Sequence, residues 1–477
     1  MRIENDIVAA IMHAPVEEKL TTQAGLSEYI HLLARLSFWG TLVFIPFRYR
    51  TLLLARPVPP IYQDFTDFLL FASDILLIAT LVFWGLSFLF NRRRFQTGPF
   101  FLTYPLLGIL LISALSVIFS VDRALSAYHF IRLLFLAGFY LYLVNEVRSL
   151  KEVAIPILIQ VLIQSGVGVA QSLAQHSLGW YSLGELPLDP AWSGVSIISA
   201  EGVRGLRVYG LSDHPNLLGG CLALGLLILA GWYLEQDADA GARAGDRWQP
   251  ARAVLFLPGL VCLLLTFSRS AWLGVFCGLI WLVILLIRTR QTQTLATLAA
   301  LSGAWMVVAL PFIWHNLPYL NTRINPATPA LGGHEIVLDA SLSERRLLGE
   351  AANEIFVSHA LLGTGIGTFP LALRAAQPDF PTDYQPVHNI LLDVASEIGL
   401  FGALFYFLAT LAPWLAMWLN RARLSFTPAL AVTSAALLAS VVIGLFDYYL
   451  WYLVPGRLWQ VLVWGLWVAA YQENLQK

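Results

Sequence analysis

The chain has 477 residues, of which 58% are hydrophobic and 12% are charged, and its mean hydropathy is +0.68. Soluble domains carry about 25% charged residues, so this composition excludes an ordinary soluble protein and indicates a polytopic membrane protein. The formal net charge of −1 argues against a nucleic-acid partner. The three cysteines, Cys221, Cys262 and Cys277, lie in or beside apolar runs, which predicts packing residues rather than disulfides or a zinc site.

Residues 1–28 are polar and lack the short apolar core of a cleavable signal peptide, so we expect a cytoplasmic N-terminal segment. Beyond them, apolar runs of about 17–25 residues, the length that crosses a bilayer, recur along the chain. The runs are Leu32–Phe47, Phe68–Phe90, Phe101–Ser120, Ala124–Val144, Val153–Leu173, Leu217–Leu234, Ala253–Phe267, Ala271–Ile287, Leu295–Trp314, Ile390–Leu419, Pro428–Leu445 and Leu458–Ala470. They predict an all-α membrane protein with about twelve transmembrane helices, because lipid cannot satisfy an open backbone.

The runs divide the chain into five parts. We expect the cytoplasmic segment 1–28, transmembrane helices 1–9 within 29–314, and an extracytoplasmic loop with short helices over 315–387. Transmembrane helices 10–12 follow within 388–471, and 472–477 forms a cytoplasmic tail. Both termini are predicted to be cytoplasmic, because Lys and Arg are more frequent in the connections on that side.

Three of the predicted outer connections contain polar motifs. The first, residues 176–216, ends with Arg204, Arg207, Asp213, His214, Pro215 and Asn216. The second is the tight turn Thr266–Gly274, which holds Arg269 between two serines. The third is the loop from His315 to Val387, where Ser343–Ala360 has helical periodicity and contains Arg345 and Arg346. Connections usually have about 4–6 residues, so a loop of this length is typical of a functional segment.

The long loop ends at His388 and Asn389, where the next apolar run begins with Asp393 and Glu397 on its first turns. Ionisable residues at membrane depth are functional candidates. The alternative is a histidine at the membrane interface beside an asparagine that caps the helix, and this motif alone leaves both interpretations open. His129 and Arg132 share a face of the fourth run, which fits either an internal cavity or a polar contact between helices.

Two weaker motifs receive structural interpretations. The glycines of Gly363–Gly367 lack the spacing of a nucleotide-binding loop, so a tight turn after the loop helix is predicted. The Asp-x-Asp of Glu235–Gly241 resembles a metal-binding motif of glycosyltransferases, but it lies away from the arginines, and a solvated acidic loop is predicted. No metal-ligand spacing is present elsewhere in the sequence, and we expect neither a metal nor a cofactor.

The outer residues are suited to one kind of chemistry. Guanidinium groups bind phosphate oxygens bidentately and stay charged when buried. Arg207, Arg269 and Arg345 or Arg346 would therefore suit a pyrophosphate at the membrane surface. His388 is suited to take a proton from an attacking hydroxyl, because imidazole titrates near neutral pH.

In chain order, four motifs resemble those of the O-antigen ligase and polymerase superfamily. They are RVYG…HPNLLGG, TFSRSAWLG, SERR…HALLGTGIGTF and VHNILLD…EIGLFG, and they extend from Arg207 toward the C-terminus. The resemblance implies a GT-C-like membrane glycosyltransferase that acts outside the cytoplasm on undecaprenyl-pyrophosphate-linked glycans, without a metal or nucleotide sugar. Two departures lie in the long loop, where Gly349 stands in place of a frequent aromatic residue and Ala360 in place of the usual proline.

The resemblance also implies roles for individual residues. Arg207, Arg269 and His388 match the catalytic set, and Arg345 fits the loop-helix arginine better than Arg346. The other predicted substrate-binding residues are Arg204, His214, Asn216, Asn389 and Glu397.

The function that we expect is transfer of a glycan from a polyprenyl pyrophosphate donor to an acceptor hydroxyl, on lipid A–core or a similar glycolipid or glycan. The predicted location is the outer face of the bacterial inner membrane, with membrane lipid as a further partner. A polysaccharide polymerase of the same superfamily is the alternative, and the sequence does not separate the two. A non-enzymatic polysaccharide flippase or transporter is disfavoured, because it would be expected to place charges near the bilayer midplane and to show inverted repeats.

Overall fold

The computed structural model describes residues 23–90, 94–200, 202–240, 253–324 and 335–476, which form sixteen helices and four short strands. The first five helices are α1 (Gln23–Phe44), α2 (Ala72–Phe90), α3 (Phe100–Ile118), α4 (Arg123–Glu146) and α5 (Lys151–Ala174). The next five are α6 (Pro215–Ala240), α7 (Leu257–Leu265), α8 (Arg269–Arg288), α9 (Thr292–His315) and α10 (Leu317–Ile324). The last six are α11 (Glu335–Ser358), α12 (Phe369–Ala376), α13 (Ile390–Leu419), α14 (Pro428–Gly444), α15 (Tyr449–Tyr452) and α16 (Val454–Gln476).

The strands form two antiparallel ribbons in the connections between helices. β1 (Arg50–Leu54) pairs with β2 (Phe68–Phe71), and β3 (Ile197–Ala200) pairs with β4 (Val203–Leu206). Short 3₁₀ turns cover Gln63–Phe65 and Tyr181–Leu183. The ribbons are too small to alter the fold class, and the prediction of an all-α polytopic membrane protein is confirmed.

Eight of the described helices are long and apolar enough to cross a membrane, namely α2, α3, α4, α5, α6, α8, α9 and α13. Four of the predicted runs differ from these. The run Ala253–Phe267 forms only the nine-residue α7, which begins beside Pro258 and is followed by the left-handed Phe267 (φ 49°). Helix α14 is apolar but has 17 residues, and α1 and α16 contain polar residues such as Arg35 and Arg457.

The acidic segment Glu235–Gly241 was predicted to be a solvated loop, and this prediction is wrong for its described part. Helix α6 continues to Ala240, so Asp237 and Asp239 belong to the last turn of a helix. The segment has no helix-breaking residue before Gly241, which explains why the helix outlasts its apolar stretch. Gly241 itself lies outside the described residues.

Connections that follow alternate helices meet at one end of the bundle. Arg48, after α1, pairs with Asp213 before α6 at 2.7 Å, and Arg56 pairs with Asp122 before α4 at 2.6 Å. The amide of Val121 donates to Thr364 O, in the segment between α11 and α12, at 2.9 Å. We call this end the loop end; it comprises the described parts of 45–71, 119–122, 175–214, 266–268, 316–389 and 445–453.

Close packing of small residues fixes α8 against α14. A Cβ on Gly274 or Gly278 of α8 would lie 3.0 Å from Ala439 O or 2.9 Å from Ala435 O of α14. Small residues at such spacing let membrane helices approach closely and gain van der Waals contact. The start of α8 is therefore held beside the end of α14, and both lie at the loop end.

The glycine turn of 360–368 packs against a break in α13. Gly399 interrupts the helix with φ 72°, and a Cβ there would lie 2.2 Å from Leu361 O. Backbone bonds join the two segments, including Gly365 N to Glu397 O at 2.8 Å. The glycines thus allow two backbones to meet, and they fasten the loop carrying α11 to the helix that begins after His388.

Candidate active site

His388 precedes the first residue of α13, and its Nδ1 lies 3.3 Å from Asp447 Oδ1. The two side chains are 14% and 4% exposed. Asp447 stands between α14 and α15, and the ring of the adjacent Tyr448 meets the imidazole edge-to-face at 5.1 Å. Because Asp447 engages Nδ1, the other ring nitrogen, Nε2, is left as the position at which His388 can exchange a proton.

Two further side chains hold Asp447. Ser270 Oγ donates to Oδ2 at 2.8 Å, and Asn216 Nδ2 donates to the same atom at 3.3 Å. Burial opposes ionisation of Asp447, but the hydrogen bond and charge of His388, together with Arg345 and Ser270, outweigh it and lower the pKa of the carboxyl. Asp447 is therefore a carboxylate at neutral pH, placed to stabilise positive charge on the His388 ring.

Arg207 is the far end of this hydrogen-bonded chain. The residue is buried, and its Nη2 donates to Asn216 Oδ1 at 2.5 Å. Its Nε donates to Thr266 O and its Nη1 to Ser196 Oγ, each at 2.8 Å. Burial, followed by the charge of Arg323, lowers the pKa of Arg207 to about 9, so the group is still cationic at neutral pH. Arg207 thus orients Asn216, which in turn contacts the partner of His388.

Two other predicted arginines approach the same place. Arg269 is the first residue of α8, immediately before Ser270, and Arg345 lies on the half-buried face of α11. Their charges are close enough to oppose one another, and Arg345 also lowers the pKa of Asp447. Within the described part of the chain, neither arginine forms a salt bridge.

A fourth arginine, Arg323 in α10, completes the cluster and was not singled out from the sequence. Burial lowers the pKa of Arg323 to about 10, and the charges of Arg269 and Arg345 add to this effect. Its Nε is buried with no hydrogen-bond partner among the described residues. Asp447 was missed as well. Each is a single charged residue in a connection, and the only available signal was its place on the predicted outer side.

Two predicted arginines lie away from the cluster. Arg204 is exposed in β4, and no described hydrogen bond or ion pair connects it to the cluster. Arg346 points outward from α11, where its 76% exposed side chain approaches Glu350 of the next turn at 3.4 Å. Of the two adjacent arginines in α11, Arg345 is the one that faces His388 and Asp447.

Two other predicted residues have local structural contacts. Asn389 caps α13, with its Oδ1 accepting the amide of Leu392 at 3.1 Å. His214 Nδ1 accepts the amide of Asn216 at 3.1 Å. Burial, followed by Arg207, lowers the pKa of His214 to about 3, so this imidazole is neutral at physiological pH. These contacts support the start of α13 and the start of α6.

Glu397 lies deeper, about 10 Å from the start of α13 at the helical rise of about 1.5 Å per residue. It is fully buried, and it accepts hydrogen bonds from Trp451 Nε1 at 2.9 Å and Phe369 N at 3.3 Å. These contacts join α13 to α12 and α15 rather than to His388. The carboxyl group of Asp393, one turn nearer to the start of α13, is buried with no hydrogen bond from a described residue.

His129 and Arg132 form polar contacts between helices. Arg132 Nη2 lies 2.6 Å from Asp74 Oδ2 of α2, and His129 Nδ1 lies 3.4 Å from Arg457 Nη1 of α16. Across the described residues, no group of three or more His, Cys, Asp or Glu side chains is arranged to hold a metal ion. The chemistry that these residues themselves can supply is proton exchange at His388 and anion binding at the arginines.

Comparison with known protein families gives one finding. Residues 254–407 match the family model described as O-antigen ligase. The match includes Arg269, Arg323, Arg345 and His388, and it ends before Asp447. A search of curated proteins gives no match.

Proposed function

We propose that this chain is an O-antigen ligase-type glycosyltransferase of the O-antigen ligase and polymerase superfamily, because residues 254–407 match the family model described as O-antigen ligase. The family supports a membrane enzyme of the ligase or polymerase type with a lipid-linked glycan substrate. The donor that we propose is a glycan on polyprenyl (undecaprenyl) pyrophosphate. The acceptor is a hydroxyl of lipid A–core or a similar glycolipid, on the outer face of the bacterial inner membrane.

One observation carries this proposal: the His388–Asp447 pair lies beside a cluster of arginines. A general base with a buried carboxylate partner and a set of cations for a departing diphosphate are the two parts that this transfer requires. Both are at the loop end, at the mouths of α8 and α13.

In the proposed step, the acceptor oxygen attacks the anomeric carbon of the donor sugar while His388 Nε2 takes the hydroxyl proton. The new glycosidic bond forms as the bond from the anomeric carbon to the pyrophosphate oxygen breaks. The electron pair of the broken bond leaves with polyprenyl pyrophosphate, whose charge Arg269 and Arg345 stabilise. Asp447 stabilises the imidazolium, as the carboxylate does in a catalytic triad.

Arg207 and Asn216 have a positioning role in this proposal. Three nitrogens of the Arg207 guanidinium are used by Thr266, Ser196 and Asn216. Its orientation is therefore set by the protein, and its charge acts as a fixed part of the field around the donor. Asn216 transmits that orientation to Asp447.

The test is a transfer reaction with protein purified in nanodiscs and an undecaprenyl-pyrophosphate-linked glycan as the only sugar source. Lipid A–core and a second lipid-linked repeat are supplied as acceptors in separate reactions, with a chelator in both. Product on lipid A–core supports the ligase, and product only on the lipid-linked repeat assigns the polymerase instead. Failure of both reactions, or a requirement for divalent metal, would contradict the proposed chemistry.

A further inference from the structure

Helix α10 is held against the site by apolar contacts with two of its motifs. Leu320 packs with Ile198 of β3 and with Phe267, which stands two residues before Arg269. Tyr319 meets the Phe267 ring at 6.2 Å, and a Cβ on Gly205 would lie 3.1 Å from the Tyr319 ring. The helix therefore bridges the ribbon that leads to Arg207 and the turn that leads to Arg269.

Arg323 follows one turn after these contacts, on the helix that they hold beside the arginine cluster. The charge of Arg323 opposes that of Arg207, and it is itself opposed by Arg269 and Arg345. A half-buried cation among three others is unfavourable unless an anion offsets it. Among the described residues, no carboxylate forms a salt bridge with Arg323, and its Nε has no hydrogen-bond partner.

The four arginines differ in what their nitrogens contact. Arg207 is engaged by three protein acceptors, whereas Arg323 has a buried nitrogen with none. A diphosphate ester carries several anionic oxygens on two phosphorus atoms, so it can meet more than one guanidinium at once. Guanidinium is the group that suits such bidentate contacts.

We propose that Arg323 is a ligand of the donor diphosphate, and that it makes the site prefer a diphosphate to a monophosphate lipid. The inference rests on the proposed function, because it assigns a residue to the leaving group of that reaction. Arg269, Arg323 and Arg345 together hold the diphosphate, while Arg207 holds the hydrogen-bonded chain to His388. The cluster is unfavourable without an anion, so donor binding relieves repulsion that the empty site contains.

The test uses purified full-length protein with undecaprenyl pyrophosphate, undecaprenyl phosphate and neutral undecaprenol, none of them carrying a glycan. We expect R323Q to bind the diphosphate about 10- to 100-fold more weakly than wild type. The affinity of R323K should lie between those of R323Q and wild type, because lysine keeps the charge but cannot form bidentate hydrogen bonds. The preference for diphosphate over monophosphate should shrink in the same order. The matched controls R204Q and R346Q, two exposed arginines outside the cluster, should bind within about twofold of wild type, because solvated charges contribute little.

Thermal unfolding gives a second readout, in which R323Q should change the ligand-free melting temperature and the ligand-induced increase in opposite directions. R323Q removes a repelled, half-buried charge, so the ligand-free melting temperature should rise, while the increase produced by saturating diphosphate should fall. A merely structural Arg323 would give a lower ligand-free melting temperature and an unchanged preference for diphosphate.

The outcomes separate the two proposals. If wild type binds the diphosphate tightly and R323Q binds it equally well, Arg323 is not a ligand and the proposed function stands. If wild type binds the diphosphate no better than neutral undecaprenol, the inference and the proposed function both fail. If R323Q alone is too unstable to measure, the affinity of R323K for the diphosphate is the test. Equal affinity of R323K and wild type would overturn the requirement for a bidentate arginine.

Discussion

Replacing Asp447 by asparagine should separate catalysis from donor binding. The carboxylate lies 3.3 Å from His388 Nδ1 and 2.8 Å from Ser270 Oγ, and it is almost fully buried. Asparagine keeps the shape but loses the charge that stabilises the imidazolium. A hydrogen bond to a charged group contributes about 1.5–3 kcal/mol, and each 1.4 kcal/mol is about tenfold. The kcat of D447N should therefore fall by about 10- to 150-fold.

Donor binding by D447N should be unchanged or tighter, in contrast to the fall in kcat. Removing a negative charge beside Arg345 leaves the arginine cluster more positive, so D447N should bind undecaprenyl pyrophosphate as tightly as wild type or more tightly. Transfer rate and dissociation constant are measured on one preparation, with D379N, an exposed carboxylate of the same loop end, as the matched control. An unchanged kcat, or a loss of binding as large as the loss of rate, would refute the assigned role of Asp447.

The contact between His388 and Asp447 also predicts how the stability of the protein depends on pH. The pKa of Asp447 is lowered in the folded protein, so its ionised form stabilises the fold. That contribution is fully present above the ordinary aspartate pKa of about 3.9 and is lost as pH falls through the lower folded value. The melting temperature of wild type should exceed that of D447N at about pH 5, and the difference should shrink as the pH falls further. A difference that grows on acidification would contradict this sign.

The remaining predictions concern His388, Arg269 and the orientation of the chain. His388→Ala should lower transfer by about 10²–10⁴-fold while diphosphate binding survives, and near-wild-type rates for His388→Asn or Gln would leave it only a hydrogen-bonding role. Arg269→Lys should lose at least about tenfold in activity with unchanged membrane insertion, because the charge remains and the bidentate geometry is lost; full activity would mean that only charge matters. Cysteines at the exposed positions Leu183 and Asp379 should react with an impermeant thiol reagent in cells without an outer permeability barrier, whereas one at the exposed Arg421 should react only after lysis. The reverse pattern would place the active site in the cytoplasm.

The helical architecture was accessible from sequence because lipid requires each crossing segment to be long and apolar. The prediction was weakest where a run is short or interrupted, as at α7, whose helix ends near the left-handed Phe267. The choice between Arg345 and Arg346 was also present in the sequence. Leu348, Ala352 and Ile355 are buried at spacings of four and three residues, and Arg345 continues that stripe one turn earlier.

Asp447 and Arg323 could not be identified in the same way. Asp447 meets His388 across 59 residues of sequence, because the start of α13 and the end of α14 both lie at the loop end, and no local pattern encodes that meeting. Arg323 depends on the contact of Leu320 with Ile198 and Phe267, three residues from separate connections. Glu397, in contrast, was predicted to bind substrate because it lies on the first turns of α13. The helix places it about 10 Å from its first residue, where it contacts Trp451 instead of His388.

In the proposed reaction, His388 and the arginine cluster transfer a glycan by releasing a lipid diphosphate. This reaction is tested most directly by a single turnover in which the donor is bound first and the acceptor hydroxyl is then added. Wild type should release one undecaprenyl pyrophosphate for each glycosidic bond formed, and His388→Ala should retain the donor unreacted at the same occupancy. Release of undecaprenyl monophosphate, or an equal rate of bond formation by His388→Ala, would contradict the proposed reaction.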